Sequence, residues 1–174
     1  MKKSILINLL IITLIIINIL RITIYDYLFF SINTTKVASN INNTTDYIGI
    51  LEIPSINLKK GIVDFNSIQN NVKYNIKTIK KSDNNLILAS HSGNGKNAYF
   101  KNLYKVNIDD IIITKYIDYD KVYIVTDKYK VDKIGKVNIS HYKDENIITL
   151  ITCDHIDKTK QIVVIGKLIE KKEI

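Results

Sequence analysis

The 174-residue sequence contains one cysteine, Cys153, and one proline, Pro54. A lone cysteine excludes an internal disulfide framework, so the thiol stays free or pairs with another chain. Other absences remove whole classes of chemistry. There is no G-x-S-x-G for a serine hydrolase, and SGNGKNA lacks the GK[ST] ending and the helix context of a phosphate loop. The spacing of Cys153, Asp154 and His155 matches no zinc pattern and offers too few ligands, so no metal and no cofactor is expected. The net charge of +8 is spread as KK, DK, YK and NIK among acids and amides. With no basic stripe interleaved with aromatics, a solvated surface is expected and no nucleic-acid partner. For a protein at a membrane, the same mild basicity suits anionic headgroups or wall polymers.

One long uncharged run is present. Two lysines precede Ile5–Leu20, and continuing past Arg21 to Ile24 gives roughly 20 residues, enough for a helix to cross a bilayer. No small-x-small cleavage site follows, so a retained anchor over residues 1–24 is preferred to a removed signal peptide. Lys2 and Lys3 favour a cytoplasmic N-terminus, with the remainder extracellular on a single-pass protein of the cell membrane. Residues 25–46, rich in Asn, Thr and Ser, read as a polar tether. Residues 47–174 read as one folded domain.

Within that domain short runs rich in Ile, Val, Tyr and Thr recur: IGILEI, GIVDF, NLILAS, DIIITKYI, KVYIVTDKYKV, IITLITC and QIVVIGKLI. They have strand length, with DKYK, KKSDN and HYKDEN read as turns. Ser67–Lys77 and a shorter stretch, Asn97–Val106, read as helical; Phe100 and Leu103 in the latter can share a face. The expected fold is all-β: seven or eight strands in a closed or nearly closed antiparallel barrel with one or two short helices.

Cys153 ends one of these runs. It is either a small buried hydrophobe or a nucleophile, and a nucleophile needs a neighbour that takes its proton. His91 ranks first, because it directly follows a buried-looking strand and opens a Ser/Gly/Asn loop. Its plain alternative is a loop-edge histidine bonded to backbone. His155 ranks second and His141 reads as a surface residue. An oxyanion would also need a donor. The strand after Cys153 offers Lys160 or Gln161 across from the thiol.

TLITC, ending in Cys153, resembles the TLxTC signature of sortases, the membrane-anchored cysteine transpeptidases of Gram-positive bacteria. IGILEIPSINLKKGIV resembles the family's opening I-x-I-P-x-I strands. NLILASHSGNGKNAYFKNLYKVNIDDIIIT resembles its histidine segment, where F-x-x-L and G-D-x-I follow; here the turn is Asn107-Ile108-Asp109-Asp110. The resemblance implies an eight-stranded β-barrel. It implies that Cys153 attacks the Thr–Gly carbonyl of an LPxTG-like sorting signal, and that the thioacyl enzyme passes the protein to an amine of a wall precursor or a pilin lysine. His91 would protonate the leaving amine and deprotonate the incoming one, with Thr152 and Ser90 beside the substrate. Two positions depart from the pattern. Gln161 stands where an arginine is expected, with Lys160 or Lys158 as a substitute cation, and Ser90 stands where glycine is common. The missing arginine motivates a second reading, a sortase-derived binding module with weak or lost catalysis. Lacking a long insertion between Lys128 and Ile147 and an Asp-Pro-aromatic lid, the chain fits a housekeeping-like or small specialised type.

Overall fold

In a computed structural model of the chain, residues 47–82, 84–134 and 146–174 are described. The expected anchor, the tether and His141 fall outside these residues. Among the described residues no helix is long and apolar enough to cross a membrane.

Among the described residues eight strands follow one another: β1 Tyr47–Ile53, β2 Leu58–Val63, β3 Lys77–Ser82, β4 Asn85–Ala89, β5 Ile111–Lys115, β6 Tyr119–Asp132, β7 Ile147–Cys153 and β8 Lys160–Glu173. They form one sheet in the order β2-β1-β5-β6-β8-β7-β4-β3. The pairings are antiparallel except for β4 with β7, which is parallel. A parallel bridge between Ile62 and Ile76 joins the two edges, so the sheet curls into a nearly closed barrel. Among the described residues helix is limited to two single 3-10 turns, Pro54–Ile56 and Leu103–Lys105. Pro54 suits the start of the first, where its missing N–H has no partner to lose.

The core follows from strand alternation. Leu86 and Leu88 of β4, Ile148 and Leu150 of β7, and Ile162 and Val164 of β8 point into one apolar cluster. Phe100 and Leu103, the pair expected to share a face, both lie fully buried in it.

Three expectations need correction. Ser67–Lys77 is a run of turns that ends in β3, not a helix. Side chains take the amides a helix would use: Asn66 N donates to Asp64 Oδ1, Gln69 N to Ser67 Oγ and Lys73 N to Asn71 Oδ1. Asn, Asp and Ser compete with helix in this way. DKYK is no turn either, since Asp127–Lys130 lies inside β6, with a register shift between Val125 and Asp127. KKSDN is a turn only in its last residues, since Lys80–Ser82 belongs to β3 (KTIKKS), a strand with little apolar signal because only Thr78 of it is buried.

The barrel has two ends. The Cys153 end carries the C-termini of β4 and β7 and the start of β8. The opposite end carries the starts of β1, β4, β6 and β7, and the chain's last residue, whose N–H donates to Asp118 O.

Candidate active site

Register assembles the site. In the antiparallel pair β7–β8, Cys153 lies opposite Gln161. In the parallel pair β4–β7, Ala89 lies beside Ile151. That alignment carries on past the ladder: Ser90 N donates to Ile151 O at 3.2 Å, and Thr152 Oγ1 donates to Ser90 O at 2.8 Å. His91 follows two residues after β4, and the same register carried to its position would bring it next to Cys153. Alternation turns Cys153 and Gln161 to the face opposite the core cluster. Ile151 and Val163, on that same face one step below, are buried.

Cys153 is a free, half-buried thiol and His91 is exposed. The loop that starts at His91 is pinned at its far end, where Phe100 N donates to His91 O at 3.1 Å. It is also tied sideways, by Asn97 Nδ2 to Lys73 O and Tyr99 Oη to Tyr74 O. The histidine therefore leaves a fixed strand and enters a tethered loop. Ser90 and Thr152 are both buried. Their hydrogen bond locks the two strand ends together, and Ser90 Oγ has no hydrogen-bond partner.

The lysines here are held by other groups. Lys160 points to the opposite face from Gln161 and binds Asp132 Oδ1 at 2.5 Å; that carboxylate raises its pKa. Lys158 Nζ donates to His155 O, and Lys128 Nζ to Tyr104 O and Val106 O. Lys130 Nζ reaches Asp154 Oδ2 at 2.5 Å. The register thus gives Cys153 the uncharged donor of the two foreseen, Gln161. Among the described residues there is no arginine at all, since Arg21 is the only one in the chain.

Asp154, weighed in the sequence only against zinc spacing, is 1% exposed. Its carboxyl is held below the usual range by the Lys130 ammonium and the N–H of Ile156. His155 packs on Tyr104 with ring centroids 4.1 Å apart, and its Nδ1 lies 3.6 Å from Asp154 Oδ1. The signal was a carboxylate next to a strand-end cysteine, followed by residues that return the chain within six positions. Among the described residues no group of three His, Cys, Asp or Glu is arranged to hold a metal.

A sortase domain model matches residues 51–169. Solved structures with the same fold include sortase A of Listeria monocytogenes, at 23% identity and TM-score 0.64, covering 74% of this chain and 91% of that one. Sortase C of Streptococcus pneumoniae gives 20% and 0.63, covering 80% and 77%. Sortase E1 of Streptomyces coelicolor, solved with a tripeptide in its active site, gives 20% and 0.59, covering 74% and 91%. No curated protein matches the chain in sequence. The chain belongs to the sortase family, whose members are cysteine transpeptidases.

Proposed function

We propose that this sortase cleaves an LPxTG-like sorting signal through a thioacyl enzyme on Cys153 and passes the acyl chain to an amine of a wall precursor or a pilin lysine. The observation that carries the reading is the pairing of Cys153 with Gln161 across β7–β8, with His91 two residues beyond β4, the parallel neighbour of β7. Cys153 Sγ attacks the Thr–Gly carbonyl carbon, and His91 gives a proton to the departing glycine nitrogen. The incoming amine then loses its proton to His91 as it attacks the thioester, and the thiolate leaves. Gln161 supplies a neutral hydrogen bond where relatives supply a charged one, and charge-assisted bonds are roughly twice as strong. Turnover is therefore slower than with arginine. Ser90 and Thr152 hold the strand ends in register beneath the substrate. An N-terminal anchor over residues 1–24 would hold the enzyme at the outer face of the cell membrane, among its exported substrates.

A binding module that no longer turns over is the second reading, favoured by the lack of any arginine among the described residues. Alkylation kinetics separate the two. For the enzyme, Cys153 of the native full-length protein reacts readily with a thiol reagent, and His91→Ala slows that reaction. A native Cys153 that resists the reagent in both forms contradicts the enzyme.

A further inference from the structure

Strand β6 presents two lysines, Lys128 and Lys130, on one face at the Cys153 end of the barrel. Lys128 lies opposite Val164 and Lys130 opposite Ile162, both core residues of β8, and partners in register share a face. Two positions along an extended strand set their backbones ~7 Å apart. Each lysine holds a different segment of the site.

Lys128 holds the chain that follows His91. Its Nζ donates to Tyr104 O at 2.6 Å and to Val106 O at 2.7 Å, on the 3-10 turn Leu103–Lys105 and the residue after it. Backbone bonds tie that turn back to the histidine: Leu103 N donates to Phe100 O at 3.0 Å, and Phe100 N to His91 O at 3.1 Å. Phe100 and Leu103 are fully buried, so the path from Lys128 to His91 runs through packed, hydrogen-bonded residues. Lys130 holds the chain that follows Cys153. Its Nζ reaches Asp154 Oδ2 at 2.5 Å. Asp154 Oδ1 accepts from Ile156 N at 3.0 Å, and Asp154 N donates to Lys160 O at 2.9 Å. A third contact joins the two segments directly, the stack of His155 on Tyr104 with ring centroids 4.1 Å apart.

Stability is a poor reason for this arrangement. An ion pair that takes a carboxylate out of water returns little net stability, and Asp154 is 1% exposed. Holding a long lysine side chain in one geometry also costs rotamer entropy. What two such contacts on one strand supply is a fixed spacing between the segments they hold.

We propose that Lys128 and Lys130 are positioning residues, a clamp on β6 that sets the separation of His91 and Cys153. The inference rests on the transpeptidase reading, in which those two side chains act on the same substrate bond. There, a misplacement of about 1 Å can cost on the order of 10²-fold in rate.

The test uses the full-length protein, whose single cysteine makes alkylation by iodoacetamide a report on Cys153 alone. Rates are measured for the wild type, Lys128→Met, Lys130→Met and the double variant, each with His91 present and with His91→Ala, alongside melting temperatures. Methionine keeps most of the stem and removes the donor. With His91 present, the double variant should slow alkylation about tenfold. In the His91→Ala background the same pair should change the rate less than about twofold, because a clamp that acts through His91 has nothing left to position. A merely structural role would give the same loss in both backgrounds. Asp154→Asn keeps an acceptor for Ile156 N and loosens Lys130, so it supplies the same cycle where Lys130→Met does not fold. Equal losses in both backgrounds, or no loss with His91 present, overturn the clamp and leave the enzyme standing. A wild-type rate that does not fall in His91→Ala overturns the transpeptidase reading, and the clamp with it.

Discussion

The two ends of the barrel use lysine in opposite ways. At the Cys153 end Lys128, Lys130, Lys158 and Lys160 are each engaged by a carbonyl or carboxylate, and the side chain facing the cysteine across the strands is an uncharged glutamine. At the other end three lysines, Lys81, Lys121 and Lys171, surround one cavity, and the last two face each other directly. One composition, read as a solvated surface of mixed charge, thus separates into lysines that hold loops and lysines gathered round a pocket. Position in the sheet, not residue type, makes the difference.

The largest expected effect lies at the cysteine end. His91→Ala should slow transpeptidation about 10²–10⁴-fold, the usual contribution of a positioned acid–base group. Steady-state kinetics check this.

Next comes the wall between the ends. Glu52, 13% exposed, binds Lys59 Nζ at 2.7 Å and Lys115 Nζ at 3.1 Å. Glu52→Ala leaves Lys115 buried without that partner. The expected loss is about 2 kcal/mol, between the values for exposed and for fully buried pairs, seen in chemical denaturation. Burial alone would raise this carboxyl, but its two lysines outweigh that and leave it lowered. Its contribution is therefore complete above the ordinary value of 4.5 and is lost as pH falls through the lower folded value. The wild type should lose more stability than Glu52→Ala on acidification below that point.

Gln161→Arg sharpens the contrast by giving the cysteine end a cation. Acylation should speed up about tenfold, roughly 1.4 kcal/mol of barrier, measured in a single-turnover assay. An unchanged rate would mean that the position no longer meets the substrate oxygen.

The smallest effect concerns backbone. Asp109 has φ of 71°, a region that favours glycine, and it occupies the glycine position of the family's G-D-x-I. Aspartate tolerates this better than most residues. Asp109→Gly should raise stability by about 0.5–1 kcal/mol, visible as a higher melting temperature.

The sequence made some of this plain and hid the rest. Strands β7 and β8 stand out because Ile and Val fill both faces, and their short connection brings Gln161 opposite Cys153. His91 is legible because a buried strand ends just before it. Strand β3 is not, since five of its six residues face solvent, and the Asn-rich turns after Asp64 imitate a helical period while their side chains cap the amides. Asp154 looks like a loop acid until Lys130, 24 residues upstream, closes on it. The lysine cavity is the least legible feature. Its parts lie as far apart as residues 81 and 171, and each one alone reads as a surface lysine.

A thioacyl enzyme on Cys153 would be seen at once by mass spectrometry of the intact full-length protein incubated with LPxTG-type peptides. An acyl adduct on Cys153 is expected, absent in Cys153→Ala and slower to form in His91→Ala. A folded protein that binds such a peptide yet forms no adduct on Cys153 would contradict it.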